Sequence, residues 1–459
     1  MVRQAPVAFA RGVAAALLLA LAAPAIAASP WAAQAAASAA STVLPALGPN
    51  KHMGVSSCSS SVCHGSVTPS KSYDVLLNEY VTWSHEDSHS KAFNVLRSLK
   101  SREIGAKLGI GDPSTAKECL DCHTDNVPPQ QRGEKFSLSD GVGCEACHGG
   151  SEYWLATHTS KRATYKENIS KGMYPTADLR PRADLCLSCH YGTADKFATH
   201  RMMAAGHPRL SFEMDTFLAL QPPHYRIDDD YKRRKPTYTS TQNWTYGQLQ
   251  AALREMDTLQ GPRINNGRAF PELALFNCYG CHMSTMKRTD WSHRLLESGA
   301  EPGSVPISDG HLTMAWIIAR ELNPSEAPGL LRQSRSLLAA SASERNQIVE
   351  RSREVSSDLR RLCDQAATRN WKPADQRQLL KTLVAVGTSG EFRDYVGAEQ
   401  AVMGIDGLLI ELGLADRFKR RIDELYRLTQ NDEAFAPEQF VTSLQGLQAE
   451  LDRAGAGRN

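Results

Sequence analysis

Apolar and polar positions change texture along the 459-residue chain. The start is one apolar block. Arg3 and Arg11 precede VAAALLLALAAPAIA, which ends in small residues with Ala25 and Ala27 in an A-x-A arrangement. A charged start, a short apolar core and a small-residue cut site predict a Sec signal peptide over residues 1–27. The run is too short for a transmembrane span, and no later segment is apolar for long enough to cross a bilayer. A periplasmic protein is therefore expected. Residues 28–50, rich in Ala, Ser and Pro, read as a flexible lead-in.

Helical rhythm sets in after about residue 311. SASERNQIVERSREVSSDLRRLCDQA opens on a capping box at Ser341 and Glu344. It then places Val355, Leu359, Leu362 and Cys363 at i, i+4, i+7 and i+8, the stripe of a buried helix. KPADQRQLLKTLVAVG, AEQAVMGIDGLLIELG and APEQFVTSLQGLQAELDRA read as further helices with Pro starts and Gly stops. Residues 320–459 are expected to form a helical C-terminal domain, an antiparallel bundle. Residues 225–265 are polar and read as a loop, with YKRRKP as solvated surface.

Composition narrows the class. With 52 basic against 50 acidic residues and a net charge of +2, no global field favours nucleic acid or a membrane surface. Eleven cysteines in an exported chain ordinarily mean disulfides, but their spacing points elsewhere. The chain writes C-x-x-C-H four times: Cys119, Cys122, His123; Cys144, Cys147, His148; Cys186, Cys189, His190; and Cys278, Cys281, His282. This is the c-type haem attachment motif, in which two thiols form thioethers with the vinyl groups and the adjacent histidine ligates iron from below. A zinc ribbon or a redox disulfide shares C-x-x-C but has no need of a histidine after every second cysteine.

SSCSSSVCHGS holds a longer variant, C-x4-C-H, at Cys58, Cys63 and His64. Beside four haem motifs it reads as a fifth attachment site whose two extra residues bulge outward. The rival reading is a four-haem protein with a local Cys58–Cys63 bridge. Cys363 is left over as a buried, inert thiol.

Nine histidines remain: His52, His85, His89, His158, His200, His207, His224, His293 and His311. All lie before residue 312, which suggests second axial ligands and low-spin bis-histidine haems. Five haems between residues 58 and 282 leave roughly 45–50 residues for each. The macrocycles must then pack together and serve as much of the core. The expected fold is mainly α: a pentahaem cytochrome c domain over 51–319, with short helices, long loops and few strands, followed by the C-terminal helices.

SDGVGCEACHGG, followed by His158, and WSHEDSHSKAF upstream resemble the multihaem cytochrome c-554 family. THRMMAAGHPRLSFEMDTF and FNCYGCHMS resemble segments of exported relatives. That family includes the electron acceptor of hydroxylamine oxidoreductase and shares haem-packing motifs with hydroxylamine oxidoreductase and pentahaem nitrite reductase. The resemblance implies that His64 pairs with His158 and that His89, set by Trp83, pairs with His148. It also implies that the haem of His123 keeps an open face. Partners for His190 and His282 would come from His200, His207, His293 and His311. The C-x4-C-H site, the extra haem and the C-terminal extension depart from the family, and no C-x-x-C-K site of the nitrite reductase kind is present.

These readings give a periplasmic carrier with five covalently attached haem c groups as the first expectation. The alternative is an oxidoreductase acting on nitrite, hydroxylamine, nitric oxide or a sulfur species at an open haem, with His85 and Arg201 as candidate supporting groups. A structural subunit docking through an apolar face of the helical region is the third. The expected partners are redox proteins, either other cytochromes or a membrane quinol-oxidising complex. A second copy could join through the C-terminal helices, and no nucleic-acid partner is expected.

Overall fold

The computed structural model describes residues 43–71, 75–262, 272–278, 282, 305–341, 345–392, 394–432 and 434–456. It is 61% helical, and no strand occurs among the described residues. Isolated bridges such as His52 to Arg132 are the nearest approach to one. The signal-peptide segment, Cys281, Glu344 and His293 fall outside the described residues.

The first part is built from short pieces: α1 Glu79–Glu86, α2 Ala92–Val95, α3 Leu99–Leu108, α4 Lys117–His123, α5 Cys144–His148, α6 Tyr165–Ser170, α7 Leu179–His190, α8 His200–Ala205, α9 Met214–Leu220 and α10 Asp229–Arg234. None is long enough to persist alone in water. Caps fix several of them. Ser98 accepts from the Ser101 N–H at the start of α3, and Thr164 and Glu167 form a reciprocal capping box on α6. Their own apolar support is slight: ahead of residue 179 the buried hydrophobic cluster is Phe93, Leu96, Cys119 and Leu120.

The second part is long helices: α11 Ser240–Leu259, α12 Gly310–Leu322, α13 Ala327–Ala340, α14 Arg345–Thr368, α15 Pro373–Thr388, α16 Tyr395–Glu411, α17 Ala415–Leu428 and α18 Pro437–Ala456. On α14, Val355, Leu359, Leu362 and Cys363 are all buried, as the periodicity requires. The apolar core here draws on both sides of residue 320, running from Leu179 and Leu187 through Trp244 and Met256 to Phe418 and Leu447.

Two expectations are corrected. Residues 225–265 are not a loop but hold α10 and the 20-residue α11. A capping box starts α11, with Thr239 accepting from the Gln242 N–H and the Gln242 side chain accepting from the Thr239 N–H. Its polar residues misled because many of them are buried, several with hydrogen-bond partners inside the bundle. Thr245 Oγ1 donates to the Thr241 carbonyl (2.7 Å), Gln248 Nε2 to Gln400 Oε1 (2.6 Å) and Gln250 Nε2 to Tyr246 Oη (2.6 Å). Residues 43–50 are likewise packed rather than free. Pro45 is buried, Gln131 Nε2 donates to the Gly48 carbonyl (2.7 Å) and Asn50 Nδ2 to the Lys171 carbonyl (3.1 Å). These anchors are polar, so no apolar pattern announced them.

α11 and α16 cross at a glycine. A Cβ on Gly404 would lie 2.5 Å from the Trp244 ring, whereas a Cβ on Gly407 meets nothing closer than 3.6 Å. Gly404→Ala should therefore cost about 1–3 kcal/mol of stability by overpacking a ring that is itself buried. Gly407→Ala should be neutral or stabilising through helix propensity. Chemical denaturation of the two variants separates the effects, and equal midpoints would refute the close approach.

Candidate haem sites

Three of the five motifs are helix ends: α4, α5 and α7 each finish on the motif histidine. One helical turn brings both thiols and the imidazole to the same side. At the fifth motif the His282 N–H donates to the Cys278 carbonyl (2.8 Å), closing the same turn. The first motif closes equivalently despite its length. The His64 N–H reaches the Cys58 carbonyl at 3.1 Å, and Val62 in the intervening loop is 82% exposed. The two additional residues are looped outward while the ends of the motif keep their relation. Cys58 and Cys63 are both free thiols, as are the other described motif cysteines.

Each motif histidine faces one other histidine. The ring centroids of His64 and His158 lie 6.2 Å apart with planes 8° from parallel. His89 faces His190 at 5.9 Å and 89°, His123 faces His207 at 6.4 Å and 87°, and His148 faces His224 at 6.4 Å and 87°. His200 faces His282 at 6.3 Å and 38°. An iron held between two imidazoles at ~2.0 Å from each nitrogen sets the centroids ~6.3 Å apart. All five separations fit that requirement.

Several of these rings are also fixed from behind through Nδ1, which leaves Nε2 for a metal. His64 Nδ1 donates to Glu79 Oε2 (2.8 Å) and His89 Nδ1 to Asp87 Oδ1 (2.9 Å). His123 Nδ1 meets the Ala92 carbonyl (3.0 Å), His158 Nδ1 the Leu155 carbonyl (2.6 Å) and His207 Nδ1 the Pro208 carbonyl (2.7 Å). The Glu79 bond draws the His64 pKa up, and Asp87 does the same for His89. His148 has no such partner. Burial, helped by His224, drives it down to about 3, so its ring is neutral with a lone pair free.

The sites adjoin one another. The Cys144 thiol donates to Cys58, which holds Cys144 protonated, and Cys122 stands in the same relation to Cys189. Cys147 lies near both Cys186 and Cys189. α8 begins with His200, and Gly206, left-handed at φ 116°, turns the chain so that His207 follows immediately. One short helix thus supplies a ring to the second motif and a ring to the fifth.

This placement differs from the pairing that the resemblance implied. His89 meets His190 rather than His148, and His148 meets His224, which was not assigned to any motif. His207 covers the face expected to be open at His123. His311 opposes no motif histidine. It is buried, its Nδ1 bonded to Gln248 Oε1 (2.9 Å) with the Tyr191 ring 5.6 Å away. His85 is exposed, and Arg201 donates to the Leu108 carbonyl (2.7 Å). His52 is buried, with Nδ1 on Asp125 Oδ2 (2.7 Å). His224 carried no local signal beyond being one of nine unassigned histidines.

Paired thiols with an adjacent imidazole, opposed rings at iron-spanning distance and a scarcity of apolar side chains to fill the space between define a c-type cytochrome. It binds haem c covalently and its work is electron transfer. Residues 52–149, which contain the first three motifs, match the family model described as cytochrome c554 and c-prime. That stretch is similar to the cytochrome c554 family, which agrees with a c-type cytochrome. No curated protein and no solved structure matches the chain.

The Asp87–His89 contact has a pH signature. Burial works to raise the Asp87 pKa, but bonds from the His89 ring, its backbone N–H and Gln221 outweigh it and bring the carboxyl from 3.8 down to about 2. A depressed acid contributes stability above its unfolded pKa and loses it as pH falls through the folded one. The contribution should therefore vanish between about pH 4 and pH 2. Asp87→Asn should be less stable than the parent at pH 6 and show a flatter pH dependence across that window. Urea midpoints measured at several pH values decide it.

Proposed function

We propose that the protein is a periplasmic electron carrier holding five bis-histidine haems. The observation that carries this reading is the set of five opposed imidazole pairs, each joining one motif histidine to one distant histidine. The chain would attach the groups through Cys58 and Cys63, Cys119 and Cys122, Cys144 and Cys147, Cys186 and Cys189, and Cys278 and Cys281. The axial pairs would be His64 with His158, His123 with His207, His148 with His224, His190 with His89 and His282 with His200. When bound, haem iron supplies a one-electron couple between its ferric and ferrous states.

The chain's own contacts support a linear order of sites. Cys58 with Cys144 joins the first to the third, Cys147 with Cys186 the third to the fourth, and Cys122 with Cys189 the fourth to the second. α8 joins the second to the fifth. Carriage is favoured over catalysis because His207 lies across the one face where an open iron was expected. The predicted signal peptide over 1–27 supports a periplasmic location, as does the typically exported character of this family. The partners are then redox proteins, other cytochromes or a membrane quinol-oxidising complex.

Haem quantification should give five per chain, and four would return Cys58–Cys63 to the disulfide reading. Low-temperature EPR should resolve the ring geometry. Near-perpendicular imidazole planes bring the iron d orbitals close to degeneracy, and parallel planes separate them. Three large-gmax signals, one rhombic signal from His64 and His158, and one intermediate signal are expected, all unmoved by nitric oxide. His207→Ala should convert one haem to a high-spin form that binds nitric oxide. A nitric-oxide-sensitive high-spin signal in the unaltered protein would sink the carrier reading.

A further inference from the structure

Glu255 sits in the middle of α11 with 1% of its surface exposed; its carboxylate oxygens meet no donor in full hydrogen-bond geometry, and the Tyr191 hydroxyl acts on them as a weak donor. An unpaired charged carboxylate in such a place is costly, so the group is driven towards its protonated form unless something nearby compensates it. Among the described residues, the groups that act on it include no counter-cation. Tyr191 lies beside it, and Asp309 and Asp394 act on it as further negative charges. Both aspartates are buried, at 4% exposure each. Asp394 Oδ1 accepts the Gly397 N–H (2.7 Å), while its Oδ2 is buried without a partner. The nearby cation, Arg209, is held by Glu399 (3.0 Å) and acts on Tyr191 and His311 rather than on Glu255.

The position matters as much as the burial. Tyr191 directly follows His190, the motif histidine of the fourth site, and its ring rests on His311. Asp394 acts on Cys278 of the fifth site. The cluster of Glu255, Tyr191, His311, Asp309 and Asp394 therefore lies against two of the five sites, contributed by the end of α7 and by α11, α12 and α16 with their flanking residues. His311 is no proton donor at neutral pH, because burial lowers it to about 4. Burial also pushes Tyr191 far above its usual range. Within this cluster of described residues, Glu255 is left as the group that can take up a proton.

We propose that Glu255 is a proton-accepting site coupled to reduction of the haem at His190, so that the protein moves a proton together with its electron. This rests on the reading as a multihaem carrier. The step balances simply. One electron from the donor cytochrome converts ferric to ferrous iron, removing one positive charge. One proton from solvent then joins the Glu255 carboxylate, giving the neutral acid, and re-oxidation releases it. Burial raises the Glu255 pKa, followed by the repulsion of Asp309 and Asp394, which sets the direction of the coupling.

The test is a spectroelectrochemical titration of the intact five-haem protein between pH 6 and pH 8. One component should fall in potential as pH rises, by up to ~59 mV for each tenfold fall in proton concentration. Glu255→Gln should remove that slope while Glu255→Asp keeps it. An unchanged slope in Glu255→Gln overturns the proposal. If that variant does not fold, redox-difference infrared spectra of the unaltered protein decide. A protonated-carboxyl band that appears on reduction and shifts in heavy water supports the assignment, and its absence overturns it. Haem content and EPR are read in the same samples. Five low-spin haems with no Glu255-dependent slope reject only the proton coupling, whereas a different haem count or an open iron rejects the underlying carrier reading.

Discussion

Two imidazoles that share one iron must hold their ring centroids about 6 Å apart with both Nε2 atoms turned inward. No local stretch of backbone can satisfy that alone, since one ring comes from the attachment motif and the other from up to 100 residues away. The first half of the molecule is arranged around this constraint. α8 and the turns after α1, α5 and α9 are too short to be stable elements, yet each delivers a histidine to a fixed place. Backbone carbonyls and two carboxylates behind Nδ1 then fix the ring rotation, so that a side chain with two torsional freedoms arrives in one orientation.

The scarcity of apolar side chains ahead of residue 179 follows from the same arrangement. Among the described residues ahead of 179, the one buried hydrophobic cluster is Phe93, Leu96, Cys119 and Leu120, with scattered others such as Val127 and Trp154, which is little side-chain packing to set against conformational entropy. Large apolar macrocycles tied covalently to the chain would fill that role, and the thioether links would shorten the loops of the unfolded chain as a disulfide does. The helical part is the opposite case. Its core of Leu, Ile, Val, Met and aromatic residues is continuous, and the end of α7 enters it. The fourth motif is therefore carried on a helix anchored in a conventional core, which gives the first part a packed edge.

Legibility in the sequence follows the range of each interaction. The attachment motifs were readable because covalent chemistry fixes thiol and imidazole spacing within five to seven residues. The C-terminal helices were readable because burial imprints a 3.6-residue rhythm, as at Val355, Leu359, Leu362 and Cys363. The distal histidines were not. Pairing His148 with His224, or His190 with His89, is a tertiary fact with no local periodicity. α11 was hidden for another reason. Its Thr241, Thr245, Gln248, Gln250 and Glu255 look like solvent-facing residues, yet all are buried, and in all but Glu255 the polar atoms find partners within the bundle.

That exception connects the two halves. Protein interiors satisfy most buried polar groups, and on α11 Thr241, Thr245, Gln248 and Gln250 follow that rule where the Glu255 carboxylate does not. A buried carboxylate facing Asp309 and Asp394 has a charge state that a nearby change of charge would move most readily. Glu255 and the groups around it lie next to the fourth and fifth attachment motifs, through Tyr191 and Asp394. The motif-bearing first half and the helical second half are then more than scaffold and cargo. On the proposed reading, the bundle places the Glu255 carboxylate where the charge of a neighbouring iron would act on it through low-dielectric protein.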